Sequence, residues 1–137
     1  MLQQYDIKIL LALQKSLEGR RDFFKWLREN GYPELAAFSN AVRGDEEALK
    51  WLLSHQQFAI LGVLSNAIDG EANAVDWMKR YNDTFLLNFI GACRKNPDSI
   101  QWFYEREARI FLAMTQEINK ILDLQTKENT FWYRTKF

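Results

Sequence analysis

Four of the five tryptophans recur at nearly constant intervals along the chain. Trp26, Trp51, Trp77 and Trp102 are separated by 25, 26 and 25 residues. Self-similarity at a fixed period of this size is typical of repeat architectures, in which each unit buries its apolar face only against its neighbours. The sequence therefore predicts a stack of small repeated units.

The residues around these tryptophans repeat in the same register. Leu35, Phe38, Val42, Leu49 and Trp51 recur as Leu61, Leu64, Ile68, Val75 and Trp77, as Leu86, Phe89, Cys93, Ile100 and Trp102, and earlier as Leu10, Leu13, Leu17, Phe24 and Trp26. The apolar positions follow helical spacing, and no sustained alternation typical of strands is present. Each copy is therefore expected to hold two short helices.

Turn and capping residues divide each copy into its two helices. Pro33 suits the first turn of a helix, and Gly44 can end that helix because it tolerates a positive φ. Asp45 then suits the N-cap of the second helix, where acidic residues in the first turn are stabilised by the helix dipole. The third copy uses Asn96 and Pro97 at the same break, without a glycine.

The two ends of the chain depart from this pattern. One helix from 105 to about 127, with Phe111, Met114 and Ile118 in its apolar stripe, is expected to cap the array, and a helix at about 2–18 caps the other end. We predict an all-α, right-handed α-α solenoid of about four 25-residue helix hairpins at about 5–30, 31–56, 57–82 and 83–104, followed by the cap at 105–127. Residues 1–128 form a single domain, and 129–137 an aromatic tail.

The segment PELAAFSNAVRGDEEALKWLLSHQ (33–56) resembles the helical part of an ankyrin repeat. Its short helix, small–polar–Gly turn and acidic-capped second helix carry the resemblance, which extends over about 10–103 in four copies. The ankyrin period is about 33 residues, so the β-hairpin finger is missing here, and so is the Thr-Pro-Leu-His opening. The resemblance implies a scaffold that binds proteins, and it brings no catalytic residues.

The charge pattern bears on the class of partner. The chain has 18 Lys and Arg residues and 18 Asp and Glu residues, and the two signs are mixed along the sequence rather than segregated. Nucleic-acid binders normally carry a basic stripe and membrane-surface proteins a basic amphipathic helix. We therefore expect neither a nucleic-acid nor a membrane partner. The first residues lack the basic region of a signal peptide, so we expect a cytoplasmic protein.

The residue types that carry catalysis or bind metals are scarce. Cys93 is the only cysteine and His55 the only histidine of the sequence, which argues against a zinc site. Cys93 occupies the apolar position that Val42 and Ile68 hold in other copies. Trp26, Trp51, Trp77, Trp102 and Cys93 are therefore predicted to be core residues. The alternatives are an aromatic ligand platform and a thiol–imidazole pair. We predict no catalytic, cofactor-binding or metal-binding residues.

Two sets of polar residues recur in register. Glu18, Arg43, Asp69 and Arg94 alternate in sign, which indicates either ion pairs between adjacent repeats or a charged stripe for a partner. Ser39 with Asn40 and Ser65 with Asn66 indicate either an amide ladder that binds an extended peptide or hydrogen bonds within the adjacent turn. The third copy has Ile90 and Gly91 at this place, which would interrupt a ladder.

The last residues form an aromatic cluster of Phe131, Trp132, Tyr133 and Phe137. Such a cluster is expected to be buried, either by folding back over the last helix or by docking onto another chain. The predicted function is a non-catalytic module that binds a protein or peptide, as a monomer or weak homodimer. The alternative is a structural protein that self-associates through its C-terminal helix and tail.

Overall fold

The computed structural model of the protein describes the backbone of residues 1–136 and the side chains of residues 1–127. All regular elements in this part of the chain are helical, which confirms the predicted all-α class. Two short 3-10 helices span Leu2–Gln4 and Gln56–Phe58. The α-helices of the described backbone are α1 (Ile7–Leu17), α2 (Arg21–Glu29), α3 (Pro33–Val42), α4 (Glu46–Ser54), α5 (Ala59–Ile68), α6 (Ala72–Tyr81), α7 (Thr84–Cys93), α8 (Pro97–Glu105) and α9 (Arg109–Lys136).

The helix boundaries lie where the capping residues predict them. The Asp45 carboxylate accepts hydrogen bonds from the backbone N–H groups of Glu47 and Ala48, at 3.0 and 3.3 Å, and α4 begins directly after it. The Asn96 side chain caps α8 in the same way. Each of these bonds satisfies a backbone donor that has no partner within its helix.

Two different residue types produce the turn between the helices of a hairpin. Gly44 adopts a φ of 98°, which costs little without a Cβ atom. In the copy without a glycine, Lys95 adopts a φ of 65° at the equivalent place. The turn is thus retained, although a lysine is less favourable than glycine in the left-handed region.

The long C-terminal helix begins later than predicted. Helix α8 ends at Glu105 and α9 begins at Arg109, so the predicted uninterrupted helix from 105 is wrong. Glu107 adopts a φ of 53° between them, and the N–H of Ala108 bonds back to the carbonyl of Phe103. The segment contains no glycine or proline to indicate this turn, which explains the error.

The first part of α9 is a fifth copy of the first helix of the repeat. Its residues Phe111, Met114 and Ile118 lie 25 positions after Leu86, Phe89 and Cys93. The equivalent positions are buried in all five helices: Leu10, Leu13 and Leu17; Leu35, Phe38 and Val42; Leu61, Leu64 and Ile68; Leu86, Phe89 and Cys93; Phe111, Met114 and Ile118. The helix therefore continues the repeat as well as ending it.

The solenoid-like row of first helices closes on itself. Helix α1 packs against α3, α3 against α5, α5 against α7, and α7 against α9, and α9 in turn packs against α1. We call this arrangement the ring of first helices. Each second helix (α2, α4, α6 and α8) packs against the first helix before it and the first helix after it. The ends of the array, which we expected to be separate caps, contact each other.

The tryptophans are not the main core residues of the second helices. Trp26 and Trp77 are 41% and 37% exposed, and Trp51 and Trp102 are half-buried. The buried residue is the one that follows each tryptophan along the chain: Leu27, Leu52, Met78 and Phe103. The prediction that all four tryptophans are core residues is therefore wrong for Trp26 and Trp77.

Three of the four tryptophans instead stack on a neighbouring aromatic ring. Trp26 lies against Tyr32, with ring centroids 6.3 Å apart, and Trp77 against Tyr81 at 4.9 Å. Trp51 stacks on Phe58 at 5.8 Å. A tryptophan in this position covers part of an apolar surface and leaves one edge in solvent.

Candidate functional site

The recurring arginines cap the ends of first helices. The Nη2 group of Arg43 donates hydrogen bonds to the carbonyl oxygens of Ser16 and Leu17, at 2.8 and 2.6 Å, at the end of α1. Arg94 Nη1 donates to the carbonyl of Ile68, at 2.8 Å, at the end of α5. A cation is favourable at a helix C-terminus, where carbonyls lack partners within the helix and the dipole is negative.

This capping replaces the predicted pairing of charges between repeats. Glu18 pairs with Lys15 on its own helix, at 3.3 Å. Among the described residues, neither Arg43 nor Arg94 has a carboxylate within ion-pair distance. The prediction of ion pairs was wrong because the arginines satisfy backbone carbonyls, which sequence comparison does not display.

Helix α9 caps the other two first helices of the array. The Asn119 amide donates to the carbonyl of Cys93 at the end of α7, at 2.9 Å. Gln125 Nε2 donates to the carbonyl of Val42 at the end of α3, at 3.2 Å. The ends of α1, α3, α5 and α7 are therefore all capped by side chains that come from elsewhere in the ring.

A polar pocket of about 730 Å³ lies over these capped ends, beside the second half of α9. Its walls carry charges of both signs, with Arg94 and Lys95 near Asp69 and Asp123. Lys95 pairs with Asp123 at 3.0 Å, and Arg94 is engaged in capping α5. Among the described residues, the lining carries three cations and four carboxylates, so this pocket does not attract an anionic ligand.

The recurring Ser–Asn pairs do not form one ladder. Ser39 is buried, with its Oγ 2.8 Å from the Oγ of Ser16, and Ser65 is also buried. Asn66 lines the polar pocket, whereas Asn40 lines a different cleft. The ladder interpretation is therefore wrong, because the ring encloses the serines and directs the two asparagines into separate cavities.

That second cavity, of about 420 Å³, lies between α2 and the ends of α1 and α3. We call it the basic cleft, because five of its lining residues are cations. Its lining consists of Ser16, Gly19, Arg20, Arg21, Phe24, Lys25, Arg28, Asn40 and Arg43. Among residues 1–127, no carboxylate belongs to this lining.

Two of the cations in the basic cleft are already partnered. Arg20 pairs with Asp22 at 3.2 Å, and this hydrogen bond lowers the pKa of the Asp22 carboxyl. Arg43 caps α1, and its partial burial lowers the pKa of its guanidinium, although the negative charge of Glu117 opposes this. Arg43 is thus held in place at the end of α3.

The other three cations have no acidic partner. Within the described residues, no carboxylate lies in ion-pair distance of Arg21, Lys25 or Arg28. The Arg28 guanidinium lies over the Phe24 ring, 5.6 Å from its centroid. Positive charge therefore accumulates along one face of α2.

The cleft is not evident from the sequence, because Asp22 and Glu29 lie among its cations in the chain. The spacing of Arg21, Lys25 and Arg28 is i, i+4 and i+7, which places all three on one helical face. That spacing was the available signal. The sequence did not indicate that Arg43, at the end of α3, also lines the cleft, because this depends on how the hairpins pack.

The residues considered for catalysis lie in separate environments. His55 stacks on Trp51, with centroids 4.2 Å apart, and its Nδ1 lies 2.6 Å from the Trp51 carbonyl oxygen, a contact that requires Nδ1 to be the donor. Cys93 is fully buried in the core, as predicted, and burial raises the pKa of its thiol well above the usual value. Within residues 1–127, no three His, Cys, Asp or Glu side chains converge to hold a metal ion.

The Cys93 thiol should react slowly with a thiol reagent in the native protein and rapidly in denaturant. A buried thiol with a raised pKa presents little of the reactive thiolate. Labelling with a chromogenic disulfide at pH 8, with and without urea, measures both rates. A native rate close to the rate in urea would contradict the burial of Cys93.

The candidate residues of the aromatic tail lie outside the part of the chain whose side chains are described. Both interpretations of Phe131, Trp132, Tyr133 and Phe137, fold-back and docking, therefore stay predictions.

In the described residues, no helix has the length and apolar character to cross a membrane. Searches against known protein families, curated proteins and solved structures found no match for this chain.

Proposed function

We propose that this protein is a non-catalytic, ankyrin-like interaction module that binds an acidic segment of a partner protein in the basic cleft. The observation that carries the proposal is the row of Arg21, Lys25 and Arg28, which has no acidic partner among the described residues. Unpaired cations on the wall of a cleft attract an anionic ligand more strongly than cations on an open surface, since low-dielectric walls focus the field.

The size of the cleft suits a short peptide segment. Arg21 and Arg28 are seven residues apart, which is about 10 Å along a helix axis. An extended peptide spans this length with about three residues. Acidic side chains on such a segment can approach successive cations of α2, while Phe24 offers an apolar contact.

The surroundings of the cleft favour a short acidic segment over a long polyanion. Glu18, Asp22 and Glu29 are exposed and lie close in sequence to the cations. A nucleic acid needs an extended basic surface, and its successive phosphates would approach these carboxylates. A segment of a few residues meets only the cations.

The test is the binding of a fluorescein-labelled pentaglutamate peptide, followed by anisotropy at low and physiological salt. The double variant Arg21→Glu/Lys25→Glu should weaken binding at least about tenfold, or about 1.4 kcal/mol. Higher salt should also weaken it, because exposed charges are screened. The matched control is Lys79→Glu/Arg80→Glu, which reverses two exposed cations at the end of α6.

The control variant should bind the peptide as the wild type does. Equal losses in the two variants would show that binding follows net charge rather than the cleft. Absence of binding by the wild type at low salt would contradict the proposal outright. Circular dichroism of each variant ensures that a loss of binding does not reflect a loss of folding.

Self-association stays the alternative prediction. Helix α9 packs against α1, α7 and α8, and Gln125 in its second half contacts α3, so a second copy can reach only the parts of α9 that these contacts leave exposed. Leu124, also in the second half, is 57% exposed. Light scattering on the samples used for peptide binding gives the mass, and a dimer that dissociates when 129–137 is removed would favour this alternative.

A further inference from the structure

We infer that the basic cleft recognises a phosphate monoester carried by the bound segment, as on a phosphorylated serine or threonine. This inference rests on the proposed function and names the chemistry of its ligand. It starts from the two polar residues that α3 contributes to the cleft, Asn40 and Arg43.

Arg43 is a fixed donor with unused capacity. Both of its hydrogen bonds to α1 come from Nη2. A guanidinium has five N–H donors, so Nη1 and Nε keep three. Among the described residues, these three donors have no acceptor. The α1 carbonyls hold the planar group in place, which lowers the entropic cost of binding a further acceptor.

Asn40 lies one helical turn before Arg43, so both side chains project from the same side of α3. Its side chain is half-buried in the wall of the basic cleft, and no described residue accepts or donates a hydrogen bond with its amide. The amide is open to solvent on the cleft side, so its N–H and carbonyl groups can bond a ligand. A ligand with several acceptor oxygens satisfies the amide and the guanidinium together.

The charge of the cleft matches a dianion better than a carboxylate. Arg21, Lys25, Arg28 and Arg43 contribute four positive charges, and no carboxylate of the described residues lies within ion-pair distance of them, although Glu117 acts on Arg43 from farther away. A phosphate monoester carries about 1.5 to 2 negative charges and three acceptor oxygens. A glutamate has one charge and two oxygens, so it leaves more of these donors unused.

A peptide is the source of phosphate that suits this cleft. Exposed Glu18, Asp22 and Glu29 lie close in sequence to its cations, so a ligand with one phosphate meets less repulsion than a ligand with many phosphates. The same carboxylates disfavour the close approach of an anionic membrane. Nucleic acids and phosphoinositide vesicles therefore serve as comparison ligands in the test.

The experiment compares three labelled pentapeptides that differ at the central position. Four flanking glutamates surround serine, phosphoserine or glutamate, and anisotropy gives the three affinities. The phosphoserine peptide should bind at least tenfold more tightly than the other two, and millimolar inorganic phosphate should compete with it. A twelve-nucleotide thymidine oligomer and vesicles with a phosphoinositide should bind more weakly than the phosphopeptide.

Arg43→Gln should remove the preference for phosphoserine, so that the phosphoserine and glutamate peptides bind with similar affinities, both lower than in the wild type because the cleft has lost one positive charge. Arg94→Gln is the matched control, because Arg94 caps α5 as Arg43 caps α1 and lies outside the basic cleft. If Arg43→Gln fails to fold, Asn40→Ala tests the phosphate inference instead, since it leaves the α1 cap intact. It should reduce the phosphoserine preference at least threefold.

The outcomes separate the two proposals. Equal affinities for the three peptides, all lowered by Arg21→Glu/Lys25→Glu, would overturn the phosphate inference and leave the acidic-segment proposal standing. No binding of any peptide would overturn both. Tighter binding of the oligonucleotide or the vesicles would overturn the choice of a peptide, and an undiminished preference in Arg43→Gln and Asn40→Ala would overturn the assignment of these residues.

Discussion

Replacing Phe103 with alanine should lower the free energy of unfolding by about 3–5 kcal/mol, as expected for removal of a buried aromatic ring. Phe103 is fully buried, and its ring lies 5.5 Å from that of Phe85 and 6.2 Å from that of Phe111. The substitution therefore leaves a cavity between α7, α8 and α9. Urea denaturation followed by circular dichroism measures the loss.

Trp77→Ala is the informative comparison, because the sequence treats Trp77 as a core residue. Its side chain is more than one-third exposed and stacks on Tyr81. The stacking contributes about 0.5–1.5 kcal/mol, so we expect a total loss of at most about 2 kcal/mol. A loss in Trp77→Ala equal to that in Phe103→Ala would show that the tryptophans do form the core.

Met114→Ala should cost about 2–5 kcal/mol, because α9 is an integral first helix of the ring. Met114 is fully buried at the position that Leu13, Phe38, Leu64 and Phe89 occupy in the other four copies. Alanine leaves a cavity where α9 packs against its neighbours in the ring. The same urea titrations measure the effect.

Leu124→Ala provides the control on the same helix. Leu124 is exposed, so its replacement should change stability by no more than about 0.5 kcal/mol. If Met114→Ala were as mild as Leu124→Ala, α9 would be an added helix that the ring does not need. Native-state hydrogen exchange adds a second readout, since amides of α1 and α9 should lose protection together in Met114→Ala.

Much of the helical framework could be predicted from the sequence. Periodic apolar residues and the capping residues Asp45 and Asn96 act locally, so their consequences can be inferred without knowing the tertiary structure. The turn at Glu107 could not be predicted, because a residue without special backbone preferences adopts a left-handed conformation there.

The fifth copy and the closure of the ring differ in how far they were predictable. Phe111, Met114 and Ile118 do lie one period after Leu86, Phe89 and Cys93, but no tryptophan-bearing helix follows them, so they were interpreted as part of a cap. Closure depends on the small rotation between successive hairpins, which accumulates over the whole array. No residue pattern within one repeat determines it.

The basic cleft was hidden for a related reason. In the sequence, Arg43 recurs in register with Glu18 and Asp69, which indicated ion pairs between adjacent repeats or a charged stripe for a partner. The structure shows that Arg43 caps α1 and also lines the cleft beside α2. The packing between hairpins determines which carbonyl or cavity a long cationic side chain reaches. The order of charges along the chain does not reveal this.

The contact between α1 and α9 has a consequence for how such a protein can change in evolution. An open array tolerates duplication or deletion of a unit, because each unit contacts only its neighbours. Here a sixth copy of the first helix would force α1 and α9 apart, and the loss of one copy would leave them unable to meet without a different curvature. We therefore expect chains of this fold to vary in their loops and outer helices while the number of units stays at five.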